Sequence, residues 1–243
     1  MNNYNFIEIN KVEGIQNSSS KLRMKNCFTK GNVKTARWFT ARSINSFVEK
    51  QHDKIDVGII AQELPYPIVA KSHFGSRNKG NSLINNFEEL QKWATNKTMS
   101  NYIFERYYQY NREYRVHVTE DGAFYSCRKM LKSGTPEDQK WHRHDDNCVW
   151  IREDSESNLF EKPSNWNQIV EHCVLALKSV GLDFGACDVR VQNEKKDKTP
   201  DFIIIEINSA PSFGENDIEK KQFTYVTERY IETLTKLIAK KTR

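Results

Sequence analysis

The sequence has no run approaching the roughly 18 consecutive apolar residues that span a bilayer. Its first six residues carry neither a basic segment nor an apolar one. These absences exclude membrane-spanning and secreted readings and predict a cytoplasmic protein. No Cys-x-x-Cys pair occurs, and the cysteines (Cys27, Cys127, Cys148, Cys173, Cys187) are odd in number. A disulfide framework or a zinc site therefore has no basis, and reduced thiols are expected. No internal repeat is visible. Charge of one sign is scarce too: 37 Lys and Arg against 32 Asp and Glu leave +5, and the basic residues are scattered. That is no footprint for nucleic acid. The Gly-x-x-x-x-Gly-Lys-Ser/Thr phosphate loop is absent. So is any Ser-His-Asp or Cys-His set for nucleophilic catalysis.

What remains is a 243-residue chain, 37% hydrophobic and 12% aromatic. That is enough for one large domain or two intimate small ones with a real core. Residues 13–35 are polar, with Ser18, Ser19 and Ser20 as a helix N-cap region before Lys21. Residues 57–61 and 67–71 read as short strands, 87–93 as a short helix, and aromatic-rich 102–108 as a strand. Residues 113–119 and 123–132 read as strands around Asp121-Gly122, a strong hairpin signal. Residues 133–165 read as irregular. Trp166, Ile169, Cys173, Leu177 and Val180 then recur at helical spacing, closed by Gly181. Two strands, 183–192 and 202–208, and an amphipathic helix from about residue 219 complete the chain. The inventory is α+β with antiparallel hairpins, not a doubly wound sheet.

Two hairpins bring like charges together. Symmetric closure of the loop 193–201 sets Asp188 opposite Glu206, with Asn208 on the same face and Ile203, Ile205 and Ile207 on the other. Opposed carboxylates repel unless a cation lies between them. Two carboxylates and an amide oxygen form a hard donor set suited to Mg²⁺; the alternative is a solvated acidic face. In the other hairpin, Asp121-Gly122 as the two turn residues sets Arg115 opposite Arg128. Opposed arginines call for an anion between them, unless both are simply exposed. A magnesium-bound polyphosphate satisfies both hairpins. Lys71 ends its strand just before a polar loop holding Gly75, Ser76 and Gly80, where backbone amides can approach phosphate.

Taken in order, these pieces resemble the ATP-grasp superfamily of carboxylate–amine ligases, whose members include D-alanine:D-alanine ligase, glutathione synthetase and glutamate-adding ligases. The resemblance covers about residues 18–215. It is most specific at Gly185-Ala-Cys-Asp188-Val and Ile205-Glu206-Ile-Asn208-Ser-Ala-Pro-Ser212. It implies an ATP-grasp fold, with ATP held between a small lid domain and a larger antiparallel α+β domain. It divides the chain into a shortened N-terminal region (1–60), a lid subdomain (61–110) and a large subdomain with the metal site (111–243). Asp188, Glu206 and Asn208 would hold two Mg²⁺ ions. Lys25 and Lys71 would be the ATP lysines, and loop 72–80 with Gly75, Ser76 and Gly80 the phosphate-covering lid. Glu105, Arg106 and Tyr107 would be the hinge that reads adenine, and Glu113 the ribose ligand. Arg115 and Arg128 would stand near the triphosphate and the reacting acyl group, with Trp141-His-Arg143 in a further substrate-facing segment. Family members carry a longer N-terminal domain than the 24 residues that precede Lys25 here.

The implied chemistry is ATP-dependent amide or peptide formation through an acyl phosphate, releasing ADP and phosphate. The partners are ATP, a carboxylate substrate and an amine acceptor of unnamed identity. A phosphotransferase on the same fold, a binding module without turnover, a macromolecular acceptor and an oligomer all stay open. No membrane partner is expected.

Overall fold

The computed structural model describes residues 7–40, 65–75, 80–144, 146–193, 198–213 and 220–242. The strand expected over 57–61 and the site residue Ser76 lie outside these residues. Helices α1 (Val12–Ser19) and α2 (Lys21–Lys30) open the fold. Ser20 caps α2 by accepting a hydrogen bond from the Arg23 amide at 3.4 Å. Helix α1 has no counterpart in the sequence reading, because its apolar residues Val12 and Ile15 are exposed while Gly14 is the one buried.

Strands β1 (Trp38–Thr40), β2 (Ile68–Ser72), β3 (Ser82–Ile84) and β4 (Tyr102–Arg106) form a four-stranded antiparallel sheet in the order β1-β4-β2-β3. Helix α3 (Phe87–Ala94) lies between β3 and β4, capped by the Asn86 side chain. Ile68, Ala70, Ile84, Leu90 and Phe104 make this sheet's small core.

The second sheet holds β5 (Arg112–Thr119), β6 (Gly122–Leu131), β7 (Cys148–Arg152), β8 (Phe184–Val191) and β9 (Phe202–Asn208), in the order β7-β6-β5-β8-β9. Strand β7 falls within the segment expected to be irregular. Its alternating burial is real, but it spans only five residues between polar loops. One face of this sheet packs on α2 and on α4 (Trp166–Val180), joining Met24, Phe28, Tyr114, Ile169, Leu177 and Ile204 in the main core. Gly181 ends α4 at φ 82°, the left-handed position the sequence called for. The other face meets α5 (Lys220–Lys241) through Val226, beside Tyr125, Cys127 and Trp150.

Two β-bulges reset the expected registers. In β5–β6 the turn residues are Glu120 and Asp121, so Thr119 pairs with Gly122. Gly122 follows at φ 126°, and an extra residue, Phe124, shifts the ladder once more, so that His117 pairs with Tyr125. Arg115 therefore faces Cys127, and Arg128 faces Tyr114. The expected Arg115–Arg128 opposition does not exist. In β8–β9 Asp188 does face Glu206, but Ile205 is an extra residue at a bulge. Of the three isoleucines expected on the far face, Ile207 reaches the core, whereas Ile204 takes the place expected of its neighbours.

Candidate functional site

Alternation along β5, β6, β8 and β9 brings polar side chains to one face of the large sheet, and their register orders them in rows. In one row Glu113 lies between Lys129 on β6 and Arg190 on β8. Its carboxylate is 3.2 Å from Lys129 Nζ and 3.1 Å from Arg190 Nε. In the next row Arg115 lies between Cys127 and Asp188, and Asp188 faces Glu206. Arg115 donates to Asp188 through Nε (2.8 Å) and a terminal nitrogen (3.1 Å). Lys129 Nζ donates to the same carboxylate at 2.8 Å. Over β6, β5 and β8 opposite charges thus neighbour one another in both directions, which is how this many charges are tolerated out of water; Asp188 opposite Glu206 is the like-charged pair.

The electrostatics follow from that lattice. Burial would raise the Asp188 carboxyl, but Arg115 and Lys129 outweigh it and hold the group far below the usual carboxylate range. Glu113 is likewise buried, yet lowered by Lys129 and Arg190. Burial works against the Lys129 ammonium, and Asp188 and Glu113 keep it charged and raised.

This face forms the floor of a cavity of about 520 Å³ whose opposite wall is β2 of the small sheet, through Val69 and Lys71. Six Lys and Arg side chains against three carboxylates line it. The rim includes Trp141, His142, Arg143 and His144. That loop is built, not slack: Arg143 donates to Asn111 O at 2.7 Å, and the Tyr110 hydroxyl donates to Trp141 O at 3.3 Å. The Tyr110 ring carries the guanidinium groups of Arg190 and Arg143 at 4.1 and 4.6 Å. Burial, then His144, brings the His142 imidazole down to about 4, so it is neutral near pH 7.

Of the residues named from the sequence, Lys71, Gly75, Glu113, Arg115, Asp188, Glu206 and Asn208 line the cavity. Glu206 and Asn208 sit side by side, with the Asn208 amide 3.5 Å from Glu206 Oε1. Lys25, Gly80, Glu105, Arg106, Tyr107 and Arg128 do not line it. Lys25 is fully buried against Glu105. In the expected hinge, Arg106 N–H donates to Arg37 O (2.9 Å) and Tyr107 N–H to Pro67 O (2.8 Å). Arg128, on the opposite sheet face, donates to Glu161 and to Leu159 O, both at 2.6 Å.

The sequence reading missed Lys21, Lys129 and Arg190, all of which line the cavity. Lys21 Nζ donates to Gly75 O at 2.8 Å and lies 3.6 Å from Glu206. Arg190 could have been found, since alternation puts it on the Asp188 face. Lys129 was hidden by the bulge.

The family model for the carbamoyl-phosphate synthase L chain ATP-binding domain matches residues 28–213, about three-quarters of the chain. No curated protein sequence is significantly similar to it. Among solved structures, D-alanine–D-alanine ligase from Bacillus anthracis superposes with a TM-score of 0.61 at 14% identity, covering 96% of this chain and 70% of that one. N5-carboxyaminoimidazole synthetase from Staphylococcus aureus, complexed with ADP, gives 0.60 at 17% identity, over 85% of this chain and 48% of that one. Biotin carboxylase from Campylobacter jejuni gives 0.58 at 18% identity, over 84% and 43%. At these identities the structures speak for the fold, and this chain spans less than half of the latter two. With a two-sheet cavity of this charge, and with that family model over most of its length, the chain belongs to the carbamoyl-phosphate synthase L chain ATP-binding domain family, within the ATP-grasp superfamily.

Proposed function

We propose that this protein is an ATP-dependent carboxylate–amine ligase that activates a carboxylate as an acyl phosphate and passes it to an amine. The observation that carries the reading is the row Arg115–Asp188–Glu206 with Lys129 beside it, on the floor of a cavity with excess positive charge. Lys21 and Lys71 stand where they would meet a polyphosphate from either side. Arg115 and Lys129 would face the transferring phosphoryl group and the developing acyl phosphate. There they stabilise charge without forming a bond, as phosphoryl transfer requires. Glu113 is proposed for the ribose hydroxyls, although Lys129 and Arg190 now hold it.

Asp188, Glu206 and Asn208 fit Mg²⁺ by donor chemistry, as two carboxylates and an amide on adjacent strands of one face. Bound there, the ion would neutralise phosphate charge. Arg115 and Lys129 already engage Asp188, so this chain's own cations would give way in part as the site fills. No helix among the described residues is long and apolar enough to cross a membrane.

The test is product analysis with Mg-ATP against pooled carboxylic acids and amines. The ligase reading expects ADP and orthophosphate only when both an acid and an amine are present, with the amide found by mass spectrometry. ADP with a phosphorylated product and no orthophosphate would make the protein a phosphotransferase.

A further inference from the structure

Lys25 is a fully buried lysine that does not line the cavity, so phosphate contact does not explain it. Its neighbours form a continuous chain. Glu105, on β4 of the small sheet, accepts from Lys71 Nζ at 2.8 Å through one carboxylate oxygen. Its other oxygen is 3.1 Å from Lys25 Nζ, a charge contact lying off the line of a hydrogen bond. Lys25 Nζ donates instead to Thr35 Oγ1 at 2.5 Å, and the Thr35 hydroxyl donates to Ile204 O at 2.8 Å. Ile204 is on β9, two residues before Glu206. Its own amide donates to Lys34 O at 2.7 Å, so residues 34 and 35 bracket one position of that strand.

We propose that Lys25, with Thr35 and Glu105, is a positioning residue that pins the small sheet to the strand carrying Glu206 and divides the Glu105 charge between itself and Lys71. The proposal rests on the nucleotide reading of the cavity. A carboxylate facing two ammonium groups holds each less tightly than it would hold one. Lys25 thereby leaves Lys71 free to turn from Glu105 towards an incoming phosphate, while the Thr35 link keeps the two walls of the cavity in place. Burial brings the Lys25 ammonium down to about 8 despite Glu105, and Glu105 itself is held at about 2 by the two lysines that outweigh its burial. The carboxylate therefore stays charged near neutral pH with both partners in place.

The experiment is a double-mutant cycle read as ADP and adenosine affinity by calorimetry, which needs no turnover. Lys25→Met should weaken ADP about tenfold in the wild-type background and within about twofold in the Glu105→Gln background, because coupling through Glu105 is then gone. Adenosine, which carries no phosphate, should change within about twofold throughout. Equal losses in both backgrounds, equal losses for adenosine, or no loss at all would overturn the proposal and leave Lys25 a packing residue. Should Lys25→Met fail to fold, Thr35→Val carries the test. It should weaken ADP several-fold only while Glu105 is present, and unchanged ADP affinity would overturn the pin. A wild-type protein that binds no ADP would overturn the nucleotide reading, and the pin with it.

Discussion

Lys129 and Arg128 are adjacent in β6 and project from opposite faces of the large sheet, one into the cavity and one onto Glu161. Their substitutions should separate cleanly. Lys129→Met removes a donor to Asp188 and a cation from the cavity, and should lower the rate of ATP turnover about a hundredfold or more. Arg128→Met should leave that rate within about twofold and cost up to about 1 kcal/mol, because its partner Glu161 is largely exposed. Steady-state rates and thermal melts decide it, and a rate loss confined to Arg128→Met would refute the register's consequence. The depressed carboxyls give a second prediction. Asp188, Glu113 and Glu105 are all held below their unfolded values. The unfolded chain therefore binds more protons on acidification, so the stability these groups supply is complete above about pH 5 and lost as pH falls below it. Denaturation midpoints should drop steeply from pH 5 downwards, and Asp188→Asn should flatten that slope. A slope unchanged by the substitution would mean that Asp188 is not a principal contributor.

Helix α1 is held to the end of α4 by the near contact of two glycines. A Cβ at Gly14 would lie 2.3 Å from Gly181 O and 2.8 Å from Gly181 C, both backbone atoms that cannot swing aside. Gly14→Ala should therefore cost about 1–3 kcal/mol by overpacking, read as a lower melting temperature, with ADP affinity preserved because α1 only edges the cavity through Ser18 and Ser19. A variant as stable as the wild type would show that α1 can ride outwards freely. Elements of this kind also mark what the sequence could reveal. The α4 helix, the Gly181 stop and the Asp188–Glu206 pairing were legible because periodicity and strand alternation carry them directly. Lys129 was not, because a turn one residue early and a bulge at Phe124 depend on local backbone conformation that no pattern of apolar residues encodes. Helix α1 was not, because a glycine is its buried residue. The family resemblance implies Lys25 as a phosphate lysine; Lys21, one turn of helix earlier, is the one that lines the cavity, and packing, which no motif encodes, sets that difference.

At the scale of the whole molecule, a ligand that fills a cavity between two sheets should stabilise both. Mg-ADP at a hundred times its dissociation constant should add about 2.7 kcal/mol and raise the melting temperature by about 5–10 °C. Hydrogen exchange should slow in β2 and β9 together; protection confined to one sheet would place the nucleotide elsewhere. The strand order has a consequence for synthesis. β5 sits at the centre of the large sheet, and its partner β8 begins 65 residues after β5 ends, with β9 later still. While the ribosome is still making β8, Arg115 and Glu113 have emerged with no acidic or basic partner across that edge, and the Glu206 segment does not yet exist. Nucleotide therefore cannot act as a template for the nascent chain. The hairpin β5–β6 must wait with one edge open until β8 is delivered, and that interval is when the growing polypeptide is most exposed to mispairing with another strand.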